Sequence, residues 1–147
     1  CIDSSKVLLA PLTPEQWAKK AELLALIGYE GELFVLEKEK EKVKSFGFSE
    51  SHVKHMSLIS DSYGYDIASV NSKKEEIYIE VKTTTRLKSD PEAQKFFLSN
   101  NEYQFYLSHK DRYKLVRVFG IRSAKPEMIE VDMSSISITP NGYVVSI

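Results

Sequence analysis

Glu76-Ile77-Tyr78-Ile79-Glu80-Val81-Lys82-Thr83-Thr84 decides how this chain folds, read together with Gly64-Tyr65-Asp66-Ile67, whose aspartate stands fourteen residues before Glu80. The first stretch is rich in Ile, Tyr, Val and Thr and predicts a strand. Successive strand residues point to opposite faces, so Ile77, Ile79 and Val81 enter a core while Glu80 and Lys82 share the other face. The apolar neighbours Ile79 and Val81 mark a central strand, where charges need a reason. With Asp66 leading the preceding strand, two carboxylates and an ammonium converge at one sheet edge. That grouping suits a divalent cation, a phosphate and an activated water.

Upstream, Thr13-Pro14-Glu15-Gln16 has the form of a helix start: a capping hydroxyl, then proline and an acid in the first turn. Trp17, Ala21, Leu24 and Ile27 follow at helical spacing, and Gly28 is expected to end or bend that helix. A second helical segment is expected from Glu32 through Phe34, Val35 and Glu37 to Val43, stopped by Gly47. Residues 1–27 are thus predicted as a helical extension packed on the core, and 28–147 as a single domain. The alternation Glu37-Lys38-Glu39-Lys40-Glu41-Lys42 reads as a solvated helix face.

Strands are expected over Val53–Ile59 and Tyr65–Val70, then, after a turn at Lys73-Lys74-Glu75, over Glu76–Thr84. Residues 85–94 are polar and read as a loop, and Phe96–Leu98 as a short edge strand. Ser99-Asn100-Asn101-Glu102 matches the Ser-x-x-Glu capping box and opens a helix through Tyr103, Phe105, Tyr106 and Leu107. Tyr113–Gly120 returns as a strand. Met128–Val131, Ile136–Thr139 and Tyr143–Ile147 form a small β extension, with Pro140-Asn141-Gly142 as a hairpin turn. The order predicts an α/β (α+β) fold in which helices flank one central mixed β-sheet.

The bulk properties fit this plan. The chain has 147 residues, 42% hydrophobic and 28% charged, enough for one domain with its own core. No apolar run approaches the roughly 20 residues of a membrane helix and no leader opens the chain, so a cytoplasmic setting is expected. The single Cys1 allows neither an internal disulfide nor a zinc site. A start at Cys rather than Met reads as a fragment whose missing regions hold a motor or a specificity module. The net charge of −1 argues against a broadly basic surface. Lys110, Arg112, Lys114, Arg117, Arg122 and Lys125 nevertheless offer either a local basic face or scattered surface cations.

Phosphodiester hydrolysis needs charge neutralised at phosphorus and a nucleophilic water, both of which a hard cation held by oxygen atoms supplies. Asp66 and Glu80 are the candidate ligands, with the backbone carbonyl of Val81 completing the protein's share. So small a set suits Mg²⁺, with Mn²⁺ as substitute, better than a closed calcium cage. Lys82 can hold the attacking water, deprotonate it if its basicity is lowered, or stabilise the phosphoryl oxygens. Glu32 is a third acidic candidate, behind Gly28 and Gly31, which would let its helix approach the sheet closely.

These residues resemble a known family. Gly31-Glu32, Gly64-Tyr65-Asp66-Ile67, Ile79-Glu80-Val81-Lys82-Thr83-Thr84, Asn101-Glu102 and Tyr113-Lys114-Leu115-Val116-Arg117-Val118 look like the domain at the C-terminus of the plant protein NO VEIN, assigned to the PD-(D/E)XK nuclease superfamily. The resemblance runs from about residue 28 to 120, and the tail matches more loosely. It implies a restriction-endonuclease-like core (αβββαβ) in which Asp66, Glu80 and Lys82 occupy the superfamily's Asp, Glu and Lys positions and Glu32 that of the first-helix acid. Tyr65 departs from the superfamily's proline and leaves the carboxylate intact.

The resemblance further implies a Mg²⁺-dependent DNA endonuclease, the cleavage module of a restriction or anti-phage protein, with DNA as partner and a homodimer as one arrangement. A catalytically inactive module that binds nucleic acid or a protein, and a nuclease acting on RNA or branched DNA, are the alternatives. Thr83, Thr84 and Glu102 are the candidate nucleic-acid contacts. They compete with simpler readings, β propensity for the threonines and helix capping for Glu102. His52 and His55 read as packed or solvated histidines, and Tyr103, Phe105 and Tyr106 as helix core plus surface.

Overall fold

The computed structural model describes residues 11–139 and 142–147. Cys1, and Pro140 and Asn141 of the expected hairpin turn, lie outside the described residues. Helix α1 spans Pro14–Ser45. Its start is the expected one: the Thr13 hydroxyl accepts from Gln16 N–H at 3.2 Å and the Gln16 side chain accepts from Thr13 N–H at 2.8 Å. Contrary to expectation, the helix runs unbroken through Gly28, because one interior glycine costs only about 1 kcal/mol and good helix formers flank it. It ends at Gly47, whose φ of +88° suits glycine. Gly47 N–H reaches Lys44 O (2.9 Å) and Phe48 N–H reaches Val43 O (3.2 Å), the paired bonds of a Schellman stop.

The first half of α1 differs from its reading in a second way. Residues 11–26 are exposed throughout, with Trp17 56% and Leu24 58% accessible. The apolar spacing does form a helix, yet the stripe is not packed on the core. Burial begins where Gly31, Val35, Leu36, Glu39 and Val43 recur about every four residues along one face. Glu39 departs from the solvated reading of its charged run: it is buried and accepts a hydrogen bond from Ser69 Oγ at 2.9 Å.

The sheet strands are β1 (Lys54–His55), β2 (Ile67–Val70), β3 (Glu76–Thr83), β5 (Tyr113–Phe119) and β6 (Glu127–Glu130), in the order β1-β2-β3-β5-β6. β3 is central, antiparallel to β2 and parallel to β5. A parallel pair requires a crossover, here the segment containing β4 (Lys95–Leu98) and helix α2 (Asn100–Ser108). The strand expected over Val53–Ile59 shrinks to two residues. Met56 N–H and Ser57 N–H both turn to the carbonyl of Asp66, at 2.8 and 3.2 Å, and the chain curls into a 3-10 turn.

The short edge strand β4 does form, but not in the central sheet. It pairs with β8 (Gly142–Ser146), which pairs with β7 (Ile136–Thr139), in a separate three-stranded antiparallel sheet. α1 covers one face of the five-stranded sheet through Val35, Val43, Ile67, Ile79, Val81 and Val118. The other face packs Tyr113 and Leu115 against Leu98, Val145 and the aromatic residues of α2. The result is a mixed α+β fold. No helix among the described residues is long and apolar enough to cross a membrane.

Candidate active site

The register Ile67↔Ile79 puts Asp66 beside Glu80 at the end of the β2–β3 ladder. Asp66 is held through its backbone and one carboxyl oxygen. Its N–H donates to Ile79 O at 2.9 Å, its carbonyl takes the two amides of the Met56 turn, and Oδ2 accepts from Val81 N–H at 2.8 Å. Val81 therefore contributes its amide to the site by orienting Asp66. Alternation along β3 sends Ile79 and Val81 into the α1 core and Glu80 and Lys82 to the opposite face, as the sequence predicts. Glu102 joins them from the first turn of α2, where the expected capping box is present: Ser99 Oγ accepts from Glu102 N–H at 3.1 Å and Glu102 Oε1 from Ser99 N–H at 2.8 Å.

Lys82 Nζ lies 3.0 Å from both oxygens of Glu102 and 3.6 Å from Glu80 Oε1. Burial works against its charge, but Glu80 and Glu102 overcome that effect and its pKa rises. Lys82 thus stays an ammonium. Glu102, despite burial, is lowered to about 2 by its hydrogen bond with Glu80 and by Lys82. Glu80, only 4% exposed, is pushed well up by burial and then by Asp66. Burial followed by the charge of Glu32 raises Asp66 to about 6, and it is hydrogen-bonded to Glu80. Two adjacent buried carboxyls whose pKa values are both raised mark a site short of positive charge.

The cleft above them, about 290 Å³, is lined by Ser57, Asp61, Asp66, Glu80, Asn101 and Glu102 among others. A larger hollow of about 400 Å³ beside Leu87, Phe119 and Lys125 holds none of these groups, so chemistry rather than volume marks the site. Among the described residues, no group of three or more His, Cys, Asp or Glu side chains is arranged to hold a metal ion. The arrangement is a pair of carboxyls plus neighbours, not a closed cage.

Glu32 approaches from α1, held by His55 and Ser57. His55 Nε2 is 2.6 Å from Glu32 Oε1, and Ser57 Oγ donates to the same oxygen. Gly31 provides the close approach: a Cβ there would lie 1.8 Å from Thr83 Oγ1, whereas Gly28 faces open space. Thr83 is correspondingly turned toward α1, its hydroxyl buried without a partner, and stands away from the cleft. Thr84 Oγ1 accepts from Arg86 N–H at 3.1 Å.

The basic residues of 110–125 do not form one face. Strand alternation sends Lys114 toward Lys42 on α1 and buries Arg117 on the other side, where it donates to Ala93 O at 3.1 and 3.2 Å. Arg112 pairs with Glu75 at 2.6 Å and Arg122 with Glu30 at 3.0 Å.

Sequence reasoning read His55 as a packed or solvated histidine and passed over its face-mate Ser57, as well as Asp61 and Tyr113. His55 and Ser57 share a face of the expected strand, the one available signal. Tyr113 gives none; its hydroxyl is buried without a partner near Glu80, Glu102 and Asp66, and burial then raises its pKa.

No curated protein and no solved structure matches this chain. A family model does, that of Protein NO VEIN, C-terminal, over residues 31–131, more than half of the chain. The matched span opens at Gly31-Glu32, carries Asp66, Glu80, Lys82 and Glu102, and closes just after β6. On the extent of that match, and with the site's residues inside it, the chain belongs to the family of the NO VEIN C-terminal domain.

Proposed function

We propose that this domain is a metal-dependent endonuclease that hydrolyses DNA phosphodiester bonds, the cleavage module of a restriction or anti-phage protein working in the cytoplasm. The observation that carries the reading is the convergence of Asp66, Glu80 and Lys82 on one face of adjoining strand ends, beneath a cleft. The donor set suits Mg²⁺ or Mn²⁺. Buried, adjacent carboxyls whose proton affinity is raised for want of positive charge are groups at which a hard cation competes with protons, and Mg²⁺ needs only one or two carboxylates plus water.

Asp66 and Glu80 would hold the cation, with Glu32 in support; once bound it neutralises phosphate charge and acidifies a water. Val81 N–H keeps Asp66 oriented. Lys82, as an ammonium, orients the attacking water or balances the phosphoryl oxygens, and Glu102 holds it in place. In-line attack leaves a 5′-phosphate and a 3′-hydroxyl. The cleft's surplus of carboxylates would repel a phosphate until metal is present, so DNA engagement at the cleft should itself require the cation.

One observation favours a second reading, an inactive module that binds nucleic acid or a protein partner. The ammonium of Lys82 is already engaged by both oxygens of Glu102. Purified protein incubated with supercoiled plasmid and Mg²⁺ or Mn²⁺ separates the two. Nicking or linearisation is expected, abolished in Glu80→Gln and Lys82→Ala while their melting transitions persist. Wild-type protein that cuts no duplex, branched or single-stranded DNA and no RNA, yet binds DNA in a salt-sensitive way, establishes the second reading.

A further inference from the structure

Glu32 is held in an uneven way. Both of its hydrogen bonds, from His55 Nε2 and Ser57 Oγ, end on Oε1, and among the described residues none reaches Oε2. A carboxylate only accepts, so Nε2 of His55 carries the hydrogen, while Nδ1 is buried without a partner. The ring has little freedom: its side chain is 7% exposed, and Tyr29 stacks on it at 5.9 Å and 17°. The backbone fixes both donors relative to Asp66, because His55 pairs with Ile67 and Ser57 N–H bonds to Asp66 O. One short segment, 55–57, thus orients the acid of α1 and the acid of β2 together.

We propose that His55, assisted by Ser57, is a positioning residue for the metal site, locking Glu32 through Oε1 so that it supports, through water, the cation held by the Asp66 and Glu80 pair. The inference rests on the metal-dependent reading above. It goes further in assigning Glu32's orientation to a histidine that touches neither substrate nor metal. Outer partners of this kind typically change metal affinity by about 10- to 100-fold when removed.

The test is calorimetric titration of Mn²⁺ into the full chain, with no DNA, for wild type, His55→Leu, His55→Gln, Ser57→Ala, Glu32→Gln and Glu32→Gln/His55→Leu. His55→Leu is expected to weaken Mn²⁺ binding about 10- to 100-fold. His55→Gln, which keeps an N–H donor, restores most of it, and the double variant binds no worse than Glu32→Gln alone. Should His55→Leu fail to give a cooperative melt, Ser57→Ala carries the same comparison with the ring intact.

Wild-type affinity in folded His55→Leu or Ser57→Ala overturns the positioning role and leaves the nuclease reading standing. So does a loss of equal size in the Glu32→Gln background. Absence of Mn²⁺ binding by wild type overturns both, and is recognised before any variant is compared.

Discussion

Asp66 pays a stability penalty for its position. Its carboxyl is raised from 3.8 to about 6 in the folded chain, so the native state holds its proton more tightly than the unfolded one does. Stability from this group is fully present below about pH 3.8 and is lost as pH rises through about 6; its loss amounts to at most about 3 kcal/mol. Glu102 acts in the opposite sense, but its contribution disappears only as pH falls from about 4.5 toward 2, below the interval from pH 5 to 7.5. The metal-free protein should therefore melt higher at pH 5 than at pH 7.5, and saturating Mn²⁺ should remove or reverse the trend. Asp66→Asn, which keeps an acceptor for Val81 N–H, should raise the metal-free melting temperature at pH 7.5, flatten the pH profile and abolish the proposed cleavage; scanning calorimetry across pH checks the stability effects. Asp66, Glu80 and Lys82 are legible in sequence because strand alternation dictates which side chains share a face. His55 is not, because its partner Glu32 lies on a helix 23 residues upstream, and no spacing rule links the two.

Helix α1 contains a paired experiment in its two early glycines. Gly28 has nothing within 4 Å of a built Cβ, whereas at Gly31 that atom would sit 1.8 Å from Thr83 Oγ1 and 2.6 Å from Thr83 Cβ and Cγ2. Gly28→Ala should stabilise by about 0.5–1 kcal/mol through helix propensity. Gly31→Ala gains the same propensity but must push α1 off β3, since the Cβ of a strand threonine cannot rotate away; a net loss of about 1–3 kcal/mol is expected. Urea unfolding of the two variants should move the midpoint in opposite directions, and equal midpoints would remove the close approach as the cause. Both helix starts are legible because a capping box is local, its bonds linking residues three apart. The length of β1 is not, since it is the carbonyl of Asp66, ten residues on, that bends the chain after His55. The sheet that β4 joins is likewise set by β8, at the far end of the chain.

At the scale of the molecule, the central sheet lies between α1 on one side and α2 with the three-stranded sheet on the other, while the first half of α1 stands clear. Because residues 11–26 are exposed throughout, a chain beginning at Ile27 should keep its stability within about 1 kcal/mol of a chain beginning at Pro11, the allowance being the lost Thr13 cap. Circular dichroism melts check this, and a large fall would mean that the segment is held by contacts its exposure does not suggest. By itself the sequence determined both helix starts, the strands β2, β3 and β5, the centrality of β3 and the common face of Glu80 and Lys82, because residue periodicity, capping and turn chemistry act over a few neighbours. Only the tertiary structure decided that Glu102 engages Lys82, that His55 and Ser57 hold Glu32, and that Gly31 of α1 is what Thr83 meets. Those are contacts between elements far apart in the chain, and they depend on how the layers pack.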